Sequence, residues 1–287
     1  MRVSINATNF SYDRRESIGR ELARMVRSAD DSGIDTVWVS DHLIQADPTA
    51  NVEEPMLEAY TTLGYLAAVS TRVRLGTMVS AATFRPTTLL IKAVTSLDVL
   101  SGGRAWLGIG AGHEEREARW MGLPFPSMHE RFDLLEETLQ LAVRMWADDT
   151  SPFQGKDRLI EKPLGRPLPL SQPRPPILIG GMGPRRTLPL VARYADACNL
   201  FDIPDGGTIV SRTLHTLAEL CAAIGRPFEQ VEKTISVRLE PDSTPEEFAD
   251  HCASLCDLGL EHAVVITPGP WTEGRINTLA EAISILA

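Results

Sequence analysis

Short runs of β-branched and other apolar residues alternate with longer stretches whose apolar positions recur at three- and four-residue steps, almost from one end of the chain to the other. The first pattern suits buried strands and the second suits helices that bury one face. Read this way, the chain predicts strands over 3–9, 34–40, 73–79, 105–110, 177–181, 197–201, 234–239 and 263–267. It predicts helices over 15–31, 58–70, 87–100, 131–146, 185–194, 208–224, 245–257 and 275–286. In the last of these, Ile276, Leu279, Ala280 and Ile283 form the apolar stripe. Strands and helices in strict alternation imply a parallel sheet, and eight such pairs match a single (β/α)8 TIM barrel better than a doubly wound sheet. The expectation is α/β, one TIM-barrel domain over residues 1–287. The main interruption is 148–176, rich in proline, where a helix cannot continue. It is expected to be an insertion loop between the fourth and fifth βα units, of the kind that serves as a lid or a binding loop or is a disordered segment.

Composition narrows the function. The 287 residues carry 28 Lys and Arg against 38 Asp and Glu, a formal net charge of −10. That balance opposes the basic footprint of a nucleic-acid binder. No apolar run approaches a membrane span, and Met1-Arg2-Val3-Ser4-Ile5-Asn6 enters a strand-like pattern instead of a signal peptide's apolar core. No membrane partner is expected, and a cytoplasmic location is. Cys198, Cys221, Cys252 and Cys256 are scattered and read as core thiols. Cys252 and Cys256 with His251 offer too few convergent ligands for zinc, so no metal is expected.

In a parallel barrel the active site is built by the loops that follow the strands. Strand two ends in Asp41-His42, a carboxylate and a pH-7 proton carrier, which also suits a turn or helix cap. Strand four runs Leu107-Gly108-Ile109-Gly110-Ala111-Gly112-His113 into an acidic helix start, Glu114-Glu115-Arg116-Glu117. Its alternate glycines allow a flat ligand, or another backbone, to approach closely. The run fails as a dinucleotide fingerprint, because His113 replaces the third glycine, and as a zincin motif, because the second His is missing. Strand five ends in Gly180-Gly181-Met182-Gly183-Pro184-Arg185-Arg186 at a helix start, the outline of a site for one phosphate or phosphodiester. Strand three stays apolar or small past its end, through Thr77-Met78-Val79-Ser80-Ala81-Ala82, and suits either a planar ring or plain core.

Together these segments resemble the luciferase-like monooxygenase superfamily, and within it the oxidoreductases that use the deazaflavin coenzyme F420. The resemblance runs from Asp35 to about Phe201, through Val39-Ser40-Asp41-His42, Thr83-Phe84-Arg85-Pro86, Ser101-Gly102-Gly103-Arg104, Gly122-Leu123-Pro124-Phe125-Pro126 and Ile179-Gly180-Gly181-Met182-Gly183. It implies a small-molecule substrate, a homodimer, and hydride transfer between C5 of the deazaflavin and that substrate. By the resemblance Asp41 and His42 are catalytic and line the cofactor, with His42 the proton carrier. Thr77, Met78 and Val79 lie behind the ring, with a non-proline cis peptide at Met78-Val79. Gly110, Ala111 and Gly112 pass near the cofactor tail, and Gly180, Gly181, Met182 and Gly183 hold its phosphate. The alternative cofactor is FMN in a two-component monooxygenase fed by a separate flavin reductase. The remote alternative is a non-catalytic barrel used as a binding module. His113 stands where many F420 relatives carry Trp and sugar-phosphate-oxidising relatives carry Glu. It is therefore the candidate on the substrate side, with Glu114 or Glu117 expected to favour its charged form.

Overall fold

The computed structural model describes residues 1–47, 49–156 and 158–286. The barrel strands are β1 (Arg2–Ala7), β2 (Thr36–Val39), β3 (Arg74–Thr77), β4 (Ser80–Ala81), β5 (Leu107–Gly110), β8 (Ile177–Gly180), β9 (Ala197–Phe201), β10 (Glu232–Arg238) and β11 (His262–Ile266). They form one parallel sheet in the order β3-β2-β1-β11-β10-β9-β8-β5-β4. The sheet closes on itself. Leu75 N–H donates to Arg104 C=O at 2.9 Å and Trp106 N–H to Leu75 C=O at 2.8 Å, tying β3 to the foot of β5. β3 and β4 are two halves of one stave, separated by a cis peptide at Met78-Val79. The lower half pairs with β2, and the upper half pairs with β5. Eight staves result, at the eight places the hydrophobic pattern predicts.

Period-two alternation sorts each strand into an outer and an inner face. Val3 and Ile5, Ile177 and Ile179, Ile235 and Val237, and Ala263 and Val265 face outward into the main core. The helices there are α1 (Ile18–Asp31), α2 (Ala59–Val69), α3 (Thr87–Ser101), α4 (Glu115–Met121), α5 (Met128–Trp146), α6 (Thr187–Tyr194), α7 (Thr208–Ala223), α8 (Pro245–Asp257) and α9 (Glu273–Leu286). The inner positions hold a separate small cluster of Trp38, Trp106, Leu178, Ala197 and Val264, with Met78 and Val79 packed on it. The inside is thus plugged by two tryptophans whose ring centroids lie 5.7 Å apart. Whatever the barrel binds must sit above that plug.

Three features depart from the predicted elements. α5 starts three residues early because Ser127 and Glu130 form a reciprocal capping box. α4 is a helix of its own, where only an acidic helix start was evident, and Gly122 ends it in the left-handed conformation. The insertion is not a free loop. It carries a small antiparallel hairpin, β6 (Phe153–Gln154) with β7 (Leu159–Ile160), while Asp157 lies outside the described residues. Its return arm is pinned where buried Asp98 accepts from Leu170 N–H at 2.6 Å, Ser171 N–H at 2.9 Å and Ser171 Oγ–H at 2.5 Å. The hairpin end reaches towards the start of α6, where Lys156 Nζ and the Arg186 guanidinium share Asp133, at 3.1 and 2.9 Å.

Candidate active site

Because every barrel strand is parallel, Asp41, Met78, Gly110 and Gly181, each at or just past a strand's carboxyl end, occupy the same mouth. The side chains there fall into two groups.

The first group is built on Asp41. Its carboxylate is fully buried and occupied: Arg85 Nη1 donates to Oδ2 at 2.5 Å, Arg85 Nη2 to Oδ1 at 2.9 Å, and Ser80 Oγ–H to Oδ2 at 2.5 Å. Arg85 also pairs with Glu58 and lies 4.9 Å from the centre of the Tyr60 ring. Burial works against the guanidinium's charge, yet the hydrogen bonds and charge of Asp41 outweigh it and raise the Arg85 pKa. Burial, reinforced by Asp41, pushes the Tyr60 phenol up to about 12. Glu58 is held below the usual carboxylate range: burial opposes this, and the Thr61 N–H and Arg85 prevail. The sequence placed Asp41 beside His42 as a chemical group. Its position at the mouth agrees, but no oxygen of Asp41 is open, so it anchors the strand-two loop to strand three instead.

The second group is built on His42. Its Nδ1 lies 2.6 Å from Glu117 Oε2, and Glu117, fully buried on α4, also accepts from the backbone N–H groups of Leu43 and Ile44. A carboxylate that already accepts from two N–H groups places the imidazole proton on Nδ1 and leaves Nε2 as the basic nitrogen. His42 keeps 17% of its side chain exposed, which gives that nitrogen access to the mouth. Sequence reasoning set Glu117 beside His113 but missed it as the partner of His42. Its one signal was an acidic residue in the first turns of a helix that follows strand four.

His113 joins this group, its ring centre 5.7 Å from that of His42 in an edge-on contact at 84°. Burial, and next the His42 imidazole, hold its pKa below the ordinary imidazole value. This corrects the expected charged form: Glu114 and Glu117 do pull in the other direction, but desolvation is the larger effect.

The glycines divide by cause. A Cβ at Gly110 would stand 3.1 Å from a Val79 methyl, one at Gly180 3.2 Å from both, and one at Gly108 would strike Thr77 C=O. Gly110 and Gly180 thus make room for the Val79 side chain and Gly108 for the Thr77 carbonyl, as close packing requires. Gly112 and Gly181 have φ of +81° and +112°, which favours glycine without any ligand. Beside them, α6 starts with Arg186 at its N-cap and no side-chain cap, and in its first turn Leu188 N–H donates to Gly183 C=O at 3.0 Å. Thr77 is engaged below, its Oγ–H donating to Gly108 C=O at 2.8 Å. Ala111 and Met182 are partly buried against the main core.

Two observations fit a polar heteroaromatic ring over the plug. Asn6 Oδ1, on the inner face of β1, and Thr83 Oγ, just past β4, are buried without a hydrogen-bond partner among the described residues. Buried polar atoms are rarely left so, and both lie at the mouth, above a floor of Met78, Val79 and Trp106.

The sequence profile of the luciferase-like monooxygenase family matches residues 1–276. An F420-dependent glucose-6-phosphate dehydrogenase of Kineococcus radiotolerans is 31% identical over 250 residues, covering 84% of this chain and 69% of that protein. A monooxygenase of Streptomyces bottropensis superposes with a TM-score of 0.82 at 19% identity, over 99% of each chain. A coenzyme F420-dependent tetrahydromethanopterin reductase of Methanopyrus kandleri gives 0.81 at 15%, over 100% of each. At such identities the structural likeness speaks for the fold, while the profile and the sequence relative speak for descent. The chain belongs to the luciferase-like monooxygenase family.

Proposed function

We propose that the protein is an F420-dependent oxidoreductase that moves a hydride between C5 of the deazaflavin and a small organic substrate. The observation that carries this reading is the His42–Glu117 pair, an imidazole with one nitrogen fixed by a buried carboxylate and the other open at a barrel mouth. The sequence relative named for F420 supports the choice of cofactor over FMN.

Thr77, Met78 and Val79 form the surface behind the ring, and Gly110, Ala111 and Gly112 flank it. Gly180, Gly181, Met182, Gly183 and the start of α6 take the phosphate. Asn6 and Thr83 meet the ring's polar edge. When bound, the deazaflavin supplies a two-electron hydride acceptor or donor at C5. His42 Nε2 takes the proton of the substrate's hydroxyl when the substrate is oxidised, and returns one when it is reduced. Glu117 balances the imidazolium that forms and keeps the ring's orientation. Asp41, Arg85 and Ser80 are positioning residues that fix the loop carrying His42. His113 is neutral at pH 7 and borders the substrate beside His42.

Titration of the purified protein with F420 and with FMN, followed by fluorescence, tests the reading. F420 is expected to bind at least about tenfold more tightly, a difference of about 1.4 kcal/mol. A preference for FMN overturns it in favour of a two-component monooxygenase supplied by a separate reductase. Failure of both to bind overturns it in favour of a non-catalytic barrel.

A further inference from the structure

Across the mouth from the Asp41 group, β10 ends in a cation that the proposed chemistry does not use. Ile235 and Val237 face the outer core, so Thr234, Ser236 and Arg238 alternate onto the inner face. The hydrogen bonds agree: Thr234 Oγ–H donates to Asn199 Oδ1 at 2.8 Å, and Asn199 Nδ2–H to Ser236 Oγ at 2.9 Å, both across the interior. Arg238 is the last residue of this row and the nearest to solvent. Its side chain is one-third exposed, and its one contact is Nη2 to Asp47 Oδ2 at 3.3 Å. Among the described residues it makes no other hydrogen bond or ion pair. A guanidinium has five N–H donors in a planar fork, so four remain for something else. Arg85, Arg74 and Arg174, by contrast, are each held by two hydrogen bonds to one carboxylate.

Asp47 is fixed independently of Arg238. Its Oδ1 accepts from Thr49 N–H at 2.8 Å and Thr49 Oγ–H at 2.7 Å, and its own N–H donates to Gln45 Oε1 at 2.9 Å. It therefore steadies the arginine without filling the fork. Phe201 ends β9 one strand over, in register with Ser236, and leaves about half its surface open. An apolar face thus stands beside the free donors. Asp47 lies five residues beyond His42 on the same loop, so their Cα atoms are at most about 18 Å apart. A metabolite-sized molecule spans the gap.

We infer that Arg238 is the recognition residue for an anionic group of the substrate, a carboxylate or a phosphate, docked at the β10 rim while the reacting carbon lies at His42. The inference rests on the oxidoreductase reading for its reacting end, but the anion site itself requires no cofactor. A planar fork with free donors suits an oxyanion with two acceptor oxygens, and Asp47 sets the orientation of the fork while its own charge moderates the affinity for any anion.

Equilibrium binding of inorganic phosphate and of acetate to the wild-type protein, R238Q, R238K and D47N, by calorimetry, tests this, with F420 titrated into each. Wild type is expected to bind at least one of the two anions. R238Q should weaken that binding about tenfold or more, R238K should weaken it less, and D47N should strengthen it, all with F420 affinity unchanged. The tighter anion distinguishes a phosphate substrate from a carboxylate one. Equal affinity in wild type and R238Q, or binding of neither anion to wild type, overturns the inference even if F420 binds. An Arg238-dependent anion site in a protein that ignores F420 overturns the cofactor assignment and leaves the site standing.

Discussion

The two ends of the barrel are both charged, but they use charge differently. At the base, Arg2 pairs with Glu232 at 2.7 Å, Glu232 with His262 Nδ1 at 2.6 Å, and Arg74 with Asp35 at 2.5 Å, while Arg74 also stacks 4.9 Å from the Trp106 ring centre. These groups come from β1, β3, β10, β11 and the residue before β2, so the cluster ties non-neighbouring staves together. At the mouth the carboxylates are equally well held, by Arg85 at Asp41 and by backbone N–H groups at Glu117. Yet three groups there leave something open: His42 its Nε2, His113 its ring, Arg238 most of its fork. A base neutralised within itself serves closure. A mouth in which fixed carboxylates hold bases and cations half-engaged serves binding and proton movement.

The sharpest test of this contrast removes one group from the mouth. His42→Ala should lower kcat by about 10²–10⁴-fold, the usual contribution of a positioned proton carrier, with F420 affinity within about threefold. Glu117→Gln should cost less, about 10–100-fold, because it loosens the ring's orientation and charge balance without deleting the base. Steady-state kinetics with a cofactor titration check both, and an unchanged kcat in His42→Ala removes the proton carrier from the mechanism.

The sequence made these ends unequally legible. The staves were readable because their outward residues either alternate with small or polar ones, as Val3 and Ile5 do with Ser4 and Asn6, or sit in unbroken apolar runs, as Ile177 and Ile179 do. Asp41 and His42 were readable because a strand's carboxyl end is a fixed address in this fold. Glu117 was not, because 75 positions separate it from His42 and its place among three surface-like charges suggests solvent. Arg85 stood in the Thr-Phe-Arg stretch, but nothing local marks it as the partner of Asp41, 44 positions away. The glycines misled in part, since a sequence cannot show that Gly110 and Gly180 yield space to Val79 and Gly108 to the Thr77 carbonyl. Side chains on the inner face are paired by closure, which local periodicity does not encode.

The base supplies the next test, of stability and not rate. Burial raises the Asp35 carboxyl but Arg74 and His262 more than offset it. Burial likewise opposes Glu232, and His262 and Arg2 prevail. Both folded-state values therefore lie below the unfolded ones of about 4. Their contribution is fully present above about pH 5 and is lost as the pH falls through the folded values. Glu232→Gln, which leaves Arg2 and buried His262 without their partner, should cost about 1–3 kcal/mol near neutral pH. It should also flatten the acid limb of the Tm profile. Thermal melts from pH 7 to 3 check this, and a variant as acid-sensitive as the parent would place the labile carboxylates elsewhere.

The smallest expected effect is the most diagnostic of the mouth. His113 touches His42 edge to ring and is held neutral by burial and by that neighbour, so its protonation falls below the ordinary imidazole value of about 6.5. In the direction of substrate oxidation a charged His113 would oppose the imidazolium that His42 becomes on taking the proton, so protonation of His113 removes competence as the pH drops. The acid limb of kcat/KM should then include a step from His113, below the ordinary imidazole range. His113→Phe keeps a planar ring against His42 and removes only this step. At pH 7 it should change kcat/KM by less than about tenfold, the equivalent of 1.4 kcal/mol, and leave F420 binding intact. The acid limb should become shallower as that step disappears. Retention of the parent's slope would mean that His113 does not titrate within the working site. The mouth would then carry one base, His42, and the open ring beside it would be packing of the kind found at the base.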